Sequence, residues 1–238
     1  GFKTTGRCLP LNSIENRVYE VEVDRPENEI KSVSDNFIVA KFYRPGRWSK
    51  DQILDEHEFI YDLVEAEVQV IPPLKINGES LFEVYGHKLF FCVYEKRGGR
   101  NPEELNEEQL EIMGRSLARI HSVGAQKKSL HRIHLSPETY GEANLKYLES
   151  TNFPLTDIKG HYLNIANQII GESKELFKGL SSQRIHGDFH KGNIILRGDD
   201  SYFVDFDDMV TGPVVQDVWP VCTGDDEQSL IDRDVFLE

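Results

Sequence analysis

The chain has 238 residues, 39% of them hydrophobic and 29% charged, with a formal net charge of −14 and a pI near 5.0. That length holds one large domain or two small lobes sharing a cleft, and the acid excess argues against DNA or RNA as an obligate partner, because phosphate backbones need a basic face. Three scattered cysteines, Cys8, Cys92 and Cys222, exclude a disulfide framework or a zinc ribbon; with no membrane-length apolar run and no signal-peptide core in Gly1-Phe2-Lys3-Thr4-Thr5, a cytoplasmic monomer without a membrane partner is expected.

Leu11-Asn12-Ser13-Ile14-Glu15-Asn16 reads as a polar loop, where Ser13, Glu15 and Asn16 offer hydroxyl, amide and backbone groups. Alternation from Arg17 to Val23 predicts a half-buried strand. The polar stretch Asp24–Asp35, containing Pro26, is a loop, and Phe37-Ile38-Val39-Ala40-Lys41-Phe42 is a second strand. Lys41 shares a face with Phe37 and Val39, so it either snorkels or meets an anion. Ser49 opens a helix, with Gln52 at capping-box spacing. Its stripe is read as Leu54, His57, Tyr61 and Val64, flanked by Ile53 and Ile60. Glu56 lies close to the buried side, placed to pair with Lys41, and His57 is read as a packed helix histidine.

Leu74-Lys75-Ile76, the turn Asn77-Gly78 and Leu81 to Tyr85 read as a hairpin, and Leu89 to Tyr94 as a further strand. The first part thus has about five strands and one helix. Glu95-Lys96-Arg97-Gly98-Gly99-Arg100 is a candidate hinge. The expected organisation is a β-rich lobe over 1–95 and a helical lobe over 96–238, an α+β bilobal fold. After the hinge the period becomes 3.6: Leu110, Met113, Leu117, Ile120 and His121 share a stripe that ends at Gly124. His131 and His134 sit in a basic, polar stretch read as lacking carboxylate partners. Glu142 to Leu148 is a short helix candidate, and Ile158, Tyr162, Ile165 and Ile169 mark a longer one.

The stretch Ile185-His186-Gly187-Asp188-Phe189-His190-Lys191-Gly192-Asn193 precedes an apolar run, Ile194-Ile195-Leu196. A turn at Arg197-Gly198-Asp199-Asp200 and a strand Tyr202-Phe203-Val204 then lead to Asp205. A hairpin with that turn returns Asp205 to the side of Asn193, with Asp188 a short loop away. Hard cations such as Mg2+ take oxygen ligands, commonly one or two carboxylates plus substrate phosphates. The pattern fits phosphoryl transfer: a loop Asp accepts the hydroxyl proton, and an Asn and a later Asp hold the metal. Asp207 is read on the strand face of Asp205 by its period of two. Asp217, in the helical stretch Val214–Trp219, is read as a brace for the loop. The short segment between Asp205 and that helix leaves no room for a long activation loop. Kinases carry their phosphate-binding lysine on a strand like that of Lys41, and backbone groups around Val93 to Glu95 are placed to read an adenine edge. No GxGxxG is present.

His186-Gly187-Asp188 with His190 and Asn193 resembles the aminoglycoside and choline phosphotransferase branch of the protein kinase-like fold. The loop Leu11–Asn16, Lys41-Phe42-Tyr43-Arg44-Pro45-Gly46-Arg47-Trp48, Asp51–His57 and Gly212-Pro213-Val214-Val215-Gln216-Asp217-Val218-Trp219 are together similar to the bacterial stress response kinase A family. The resemblance implies an ATP- and Mg2+-dependent serine/threonine protein kinase, cytoplasmic and tied to stress. In it Asp188 is the proton acceptor, Asn193 and Asp205 are magnesium ligands, and Ser13 is a phosphate-loop contact; Lys41 and Glu56 join Ser13 in the ATP site. Against the family pattern the loop Asp24–Asp35 is long, and the chain, which begins without Met and stops at Glu238 in mid-pattern, is expected to be a piece that lacks a helical C-terminal region. Two alternatives remain: a kinase of small alcohols such as an aminoglycoside, choline or homoserine, and a nucleotide-binding scaffold without turnover.

Overall fold

Five antiparallel strands, β1 (Thr4–Leu11), β2 (Arg17–Val23), β3 (Phe37–Phe42), β4 (Phe82–Glu83) and β5 (Phe90–Glu95), form the sheet of the N-terminal part in the order β1-β2-β3-β5-β4; the computed structural model describes residues 1–151, 156–198 and 200–238. The alternating stretch becomes β2 and the second expected strand β3, and β5 pairs with β3 in a register that puts Lys41 opposite Cys92. Two short 3-10 turns, Glu27–Glu29 and Val33–Asn36, occupy the loop between β2 and β3.

The count of five strands is right, with one member exchanged. The fifth strand is β1 (Thr4–Leu11), fully exposed and bulged between Thr4 and Cys8. It carries Pro10 and Gly6, residues tolerated on an edge strand and at a bulge, so it shows no alternation to read. The hairpin expected at 74–85 keeps its turn: Ile76 and Glu79 exchange both backbone bonds around Asn77 (φ 53°) and Gly78 (φ 86°). Its first arm is no strand. Only β4 (Phe82–Glu83) survives, and Leu74 instead donates its N–H to the Val93 carbonyl.

Helix α1 (Lys50–Glu65) begins at the Ser49–Gln52 capping box. Its buried residues are Ile53, Asp55, Glu56, His57, Phe59, Ile60 and Leu63, whereas Leu54 and Val64 are exposed. The expected stripe was therefore rotated: the helix is wedged between sheet and C-terminal core, so the wider face through Ile53 and Ile60 is the one covered. Phe59, Ile60 and Leu63 join α2 (Glu107–Gly124), through Met113, Leu117 and Ile120, and Phe189, Ile194, Phe203 and Phe206 in one core. The candidate hinge is docked on that part. Arg100 and Leu196 exchange backbone bonds, and a Cβ at Gly99 would lie 2.6 Å from the Leu196 carbonyl oxygen, so this glycine serves close approach.

A π-helical turn (Pro137–Glu142) leads into α3 (Ala143–Glu149), followed by α4 (Thr156–Phe177). The α4 stripe Ile158, Tyr162, Ile165 and Ile169 forms the expected helix but faces solvent. Next come β6 (Gln183–Ile185), the hairpin β7 (Ile194–Arg197) and β8 (Asp200–Phe203), β9 (Val210–Gly212), α5 (Val215–Val218) and α6 (Glu227–Leu237). Ile194 pairs with Phe203, and Val204 donates its N–H to the Asn193 carbonyl, which is the predicted hairpin register; Asp199 of its turn lies outside the described residues. No helix among the described residues is long and apolar enough to cross a membrane.

His57 is a buried helix histidine, as expected. Its Nδ1 meets the Ser80 hydroxyl at 2.8 Å and its Nε2 the Tyr43 hydroxyl at 3.0 Å. With Tyr43 donating to Glu56 Oε1, the proton of the neutral ring sits on Nε2. Burial, aided by the positive charges of Lys41 and Arg132, drives its pKa from 6.5 to about 3. Between those values the unfolded chain binds a proton that the folded chain refuses, so stability rises with pH across the window, by at most about 1.4 kcal/mol per unit from this group. The slope of unfolding free energy between pH 5 and 7, from denaturant titrations, is expected to flatten in His57→Gln; an unchanged slope contradicts the assignment.

Candidate active site

The glycine of His186-Gly187-Asp188 is dictated by space. Gly187 has φ +88°, and a Cβ there would lie 2.0 Å from the Asp208 carbonyl oxygen, so no side chain fits where the protein-kinase pattern has Arg. Asp217, fully buried, holds the loop from behind: Oδ2 accepts the His186 N–H at 2.8 Å and Oδ1 the Gly187 N–H at 2.7 Å. His121 of α2 completes the bracket, with Nε2 2.9 Å from Asp217 Oδ2. Asp217 is thus the brace expected of it, and His121 is its structural partner.

Asp188 emerges from this loop with its carboxylate about half exposed. Asn193 donates its amide to the Asp188 carbonyl at 2.9 Å and to Oδ2 at 3.2 Å, which leaves the Asn193 side-chain oxygen for another partner. His190 Nδ1 accepts the Gly192 N–H at 2.9 Å, so Nε2, 3.3 Å from Asp188 Oδ2, carries the ring proton toward the carboxylate. After β8 the chain turns sharply. Asp205 adopts φ 62°, ψ 63°, a left-handed conformation that Asp tolerates better than most residues, and a 3-10 turn covers Phe206–Asp208. The period-two placement of Asp207 is thus wrong in mechanism: no strand continues there. Asp207 nonetheless reaches the same group as Asp205, because the 3-10 turn brings it back.

That group is Lys41. Its ammonium, 6% exposed, lies 3.1 Å from Asp205 Oδ1, 3.3 Å from Asp207 Oδ1 and 3.5 Å from Glu56 Oε1. Burial pulls its pKa down, but the three carboxylates together outweigh that and hold it well above its ordinary value. Lys41 in turn keeps the Asp205 carboxyl below the usual range against burial. Lys41 is paired with anions and does not snorkel.

A cavity of about 660 Å3 opens in front of this wall, lined by the loop Asn12–Asn16 on one side and Asp188, His190, Asn193, Asp205, Asp207 and Asp208 on the other. Asp188, Asn193, Asp205 and Ser13 therefore meet in one space, with Lys41 and Glu56 behind Asp205. Ser13 Oγ accepts the Asn16 N–H at 3.2 Å, while Asn16 is buried and accepts the Arg44 N–H, so the loop is shaped by side-chain turns in place of glycines. Three residues were not found from the sequence. Arg47, also on the cavity wall, reaches Asp207 at 2.6 Å, Asp208 at 2.5 Å and Glu15 at 3.3 Å; the turn glycine Gly46 before it was the available signal. Arg132 binds Glu56, and no spacing marked it. Asp55 contradicts the reading of His131 as lacking a carboxylate: it accepts the His131 N–H and sits 3.0 Å from Nδ1, a contact between α1 and a distant loop that no local pattern encodes.

Removing the bracket tests the loop. Asp217→Ala leaves the buried N–H of His186, the half-buried N–H of Gly187 and His121 without their acceptor, a loss of about 3 kcal/mol and roughly 6–12 °C in Tm for a chain of this size. Calorimetry showing less than about 1 kcal/mol of destabilisation would contradict the role of Asp217.

With this geometry in hand, the comparisons are specific. A family model described as "Phosphotransferase enzyme family" matches residues 7–237. "Stress response kinase A" of Shigella flexneri is 34% identical over 239 residues, covering 100% of this chain and 69% of that protein; "Serine/threonine protein kinase RdoA" of Salmonella typhimurium matches at 34% with the same coverage. Among solved structures, the amicoumacin kinase hAmiN in complex with AMP-PNP, Ca2+ and Ami superposes with a TM-score of 0.78 at 21% identity, over 99% of this chain and 72% of that one. A microcompartment-associated aminopropanol kinase gives 0.69 at 16% identity, over 97% and 73%. The five-stranded antiparallel sheet followed by helices is the bilobal, kinase-like fold of these enzymes. The chain belongs to the APH phosphotransferase enzyme family, together with the stress response kinase A proteins.

Proposed function

We propose that this chain transfers the γ-phosphoryl group of ATP to the hydroxyl of a serine or threonine in a protein, in the cytoplasm and as part of a stress response. The observation that carries the proposal is the convergence of Asp188, Asn193 and Asp205 on one cavity under the loop Asn12–Asn16, with Lys41 against Asp205. The 34% identical relative named as a serine/threonine protein kinase favours a protein acceptor. The nucleotide lies between the sheet-rich residues 1–95 and the helical residues 96–238, which act as two lobes, with its adenine edge on backbone groups of Val93 to Glu95.

The donor set suits a hard divalent cation. Glu15, Asp188, Asp205, Asp207 and Asp208 outnumber Arg47 on the cavity wall, and among the described residues no cluster of three or more His, Cys, Asp or Glu forms a closed metal site. Such a cation is held in part by phosphate oxygens, which is how Mg2+ is bound beside a nucleotide. Asn193, through its free side-chain oxygen, and Asp205 would hold Mg2+, which when bound neutralises phosphate charge. Lys41, kept charged by its carboxylates and braced by Glu56, directs positive charge at the phosphates, and Ser13 with the 12–16 loop covers them. Asp188, held by Asn193 and His190, orients the acceptor hydroxyl and takes its proton. The chain's contribution is positioning and charge neutralisation.

Asp188→Asn and Asp205→Ala are each expected to lower turnover at least a thousandfold without unfolding the protein, measured with radiolabelled ATP; near-normal phosphorylation by Asp205→Ala would refute the metal assignment. The same assay, run against a protein panel and a panel of amino alcohols and aminoglycosides, separates the protein-kinase reading from that of a small-molecule kinase, the kind for which the amicoumacin and aminopropanol kinases are named. Phosphate incorporation on serine or threonine is the expected result.

A further inference from the structure

Arg132 lies outside every motif, on the loop after α2, yet its side chain is fully buried and each of its three nitrogens donates a hydrogen bond. Nε donates to the Gln52 carbonyl of α1 at 2.7 Å, one terminal nitrogen to the Asp207 carbonyl at 2.6 Å, and the other to Glu56 Oε2 at 2.8 Å. Its guanidinium lies 4.1 Å from the centroid of the Trp48 ring at the start of α1. One planar group thus touches the helix that carries Glu56 and the backbone that follows Asp205. The base of this fork is clamped too. Asp55, one residue before Glu56, accepts the Ser129 hydroxyl at 2.5 Å and the N–H groups of His131 and Arg132 at 2.6 and 3.0 Å.

We propose that Arg132 is a positioning residue that joins Glu56 and the Asp205–Asp208 turn into one rigid unit, so that Lys41 and Asp205 are set together before nucleotide arrives. This rests on the phosphotransfer reading above. The geometry explains how Glu56 divides its charge. Arg132 fixes Oε2, which leaves Oε1 to Lys41 at 3.5 Å and the Tyr43 hydroxyl at 3.3 Å. An arginine is required here: a lysine cannot serve three acceptors in fixed directions. The consequence is a helix α1 held in its working place by the C-terminal loop itself, with no phosphorylated segment needed to draw it in.

The test is Arg132→Lys in the full chain, which keeps a positive charge and removes the fork. At a temperature where the variant is fully folded, kcat is expected to fall at least tenfold while KM for ATP changes less than threefold. In nucleotide-free hydrogen exchange, amides of 52–57 and 205–208 should lose protection together, with β3 and β5 unchanged. Combined with Glu56→Gln, the double variant should be within threefold of the worse single variant, since both act through one contact. A kcat within twofold of the parent, a uniform loss of protection, or losses that multiply would overturn the proposal. Should Arg132→Lys fail to fold, Asp55→Asn weakens the clamp with every Arg132 side-chain bond in place; the same amides should loosen and kcat fall about threefold, and no change in either overturns it. If the parent chain transfers phosphate to no acceptor, the phosphotransfer reading is what fails, and the exchange measurement still decides the coupling.

Discussion

One buried ammonium organises this molecule. Lys41 projects from the central strand of the sheet and meets Glu56 of α1, Asp205 at the end of the β7–β8 hairpin and Asp207 in the following turn. Two neighbouring elements, β3 and α1, and a turn 164 residues further along are therefore bound to a single charge. A lone lysine in that position would be driven toward neutrality by desolvation; surrounded by carboxylates it stays charged. The converse also holds. The carboxylates could not crowd so closely without the cation, and removing one partner of such a cluster leaves uncompensated buried charge, the costly case.

Around that centre, polar side chains do the work that glycines and regular ladders do elsewhere. Asp217 with His121 shapes the 186–188 loop from α2. Asn193 and His190 hold the Asp188 carboxylate, and Ser13 and Asn16 fold the loop that faces it. Most of these groups are hydrogen-bonded on two sides, which fixes rotamers and hence directions. The cavity wall remains richer in acid than in base, and on the proposed reading that imbalance gives a metal–nucleotide complex, rather than a free anion, the advantage in entering it.

Local signals carried much of the fold. The capping box at Ser49–Gln52, the turn at Asn77-Gly78, the alternation over 17–23 and the apolar strand over 37–42 are written in adjacent residues, and each appears where expected. The hairpin that brings Asn193 beside Asp205 was legible for the same reason, as was the Lys41–Glu56 pair, from strand face and helix spacing. The misses share a cause of the opposite kind. The edge strand β1 takes its structure from pairing with β2 and has no buried face to pattern it. The covered face of α1 was misjudged because two surfaces enclose that helix. Asp55–His131, Arg132–Glu56 and Arg47–Asp207 are contacts across 76, 76 and 160 positions of sequence, where no periodicity reaches.

The gathering of Asp188, Asn193 and Asp205 in front of Lys41 has a direct test in the placement of a paramagnetic ion. Mn2+ added with ADP to the isotope-labelled chain should broaden the NMR signals of Asn193, Asp205 and their immediate neighbours first, only in the presence of nucleotide, and Asp205→Ala should abolish the effect. Broadening centred elsewhere, or nucleotide binding indifferent to both the metal and Asp205, would contradict it.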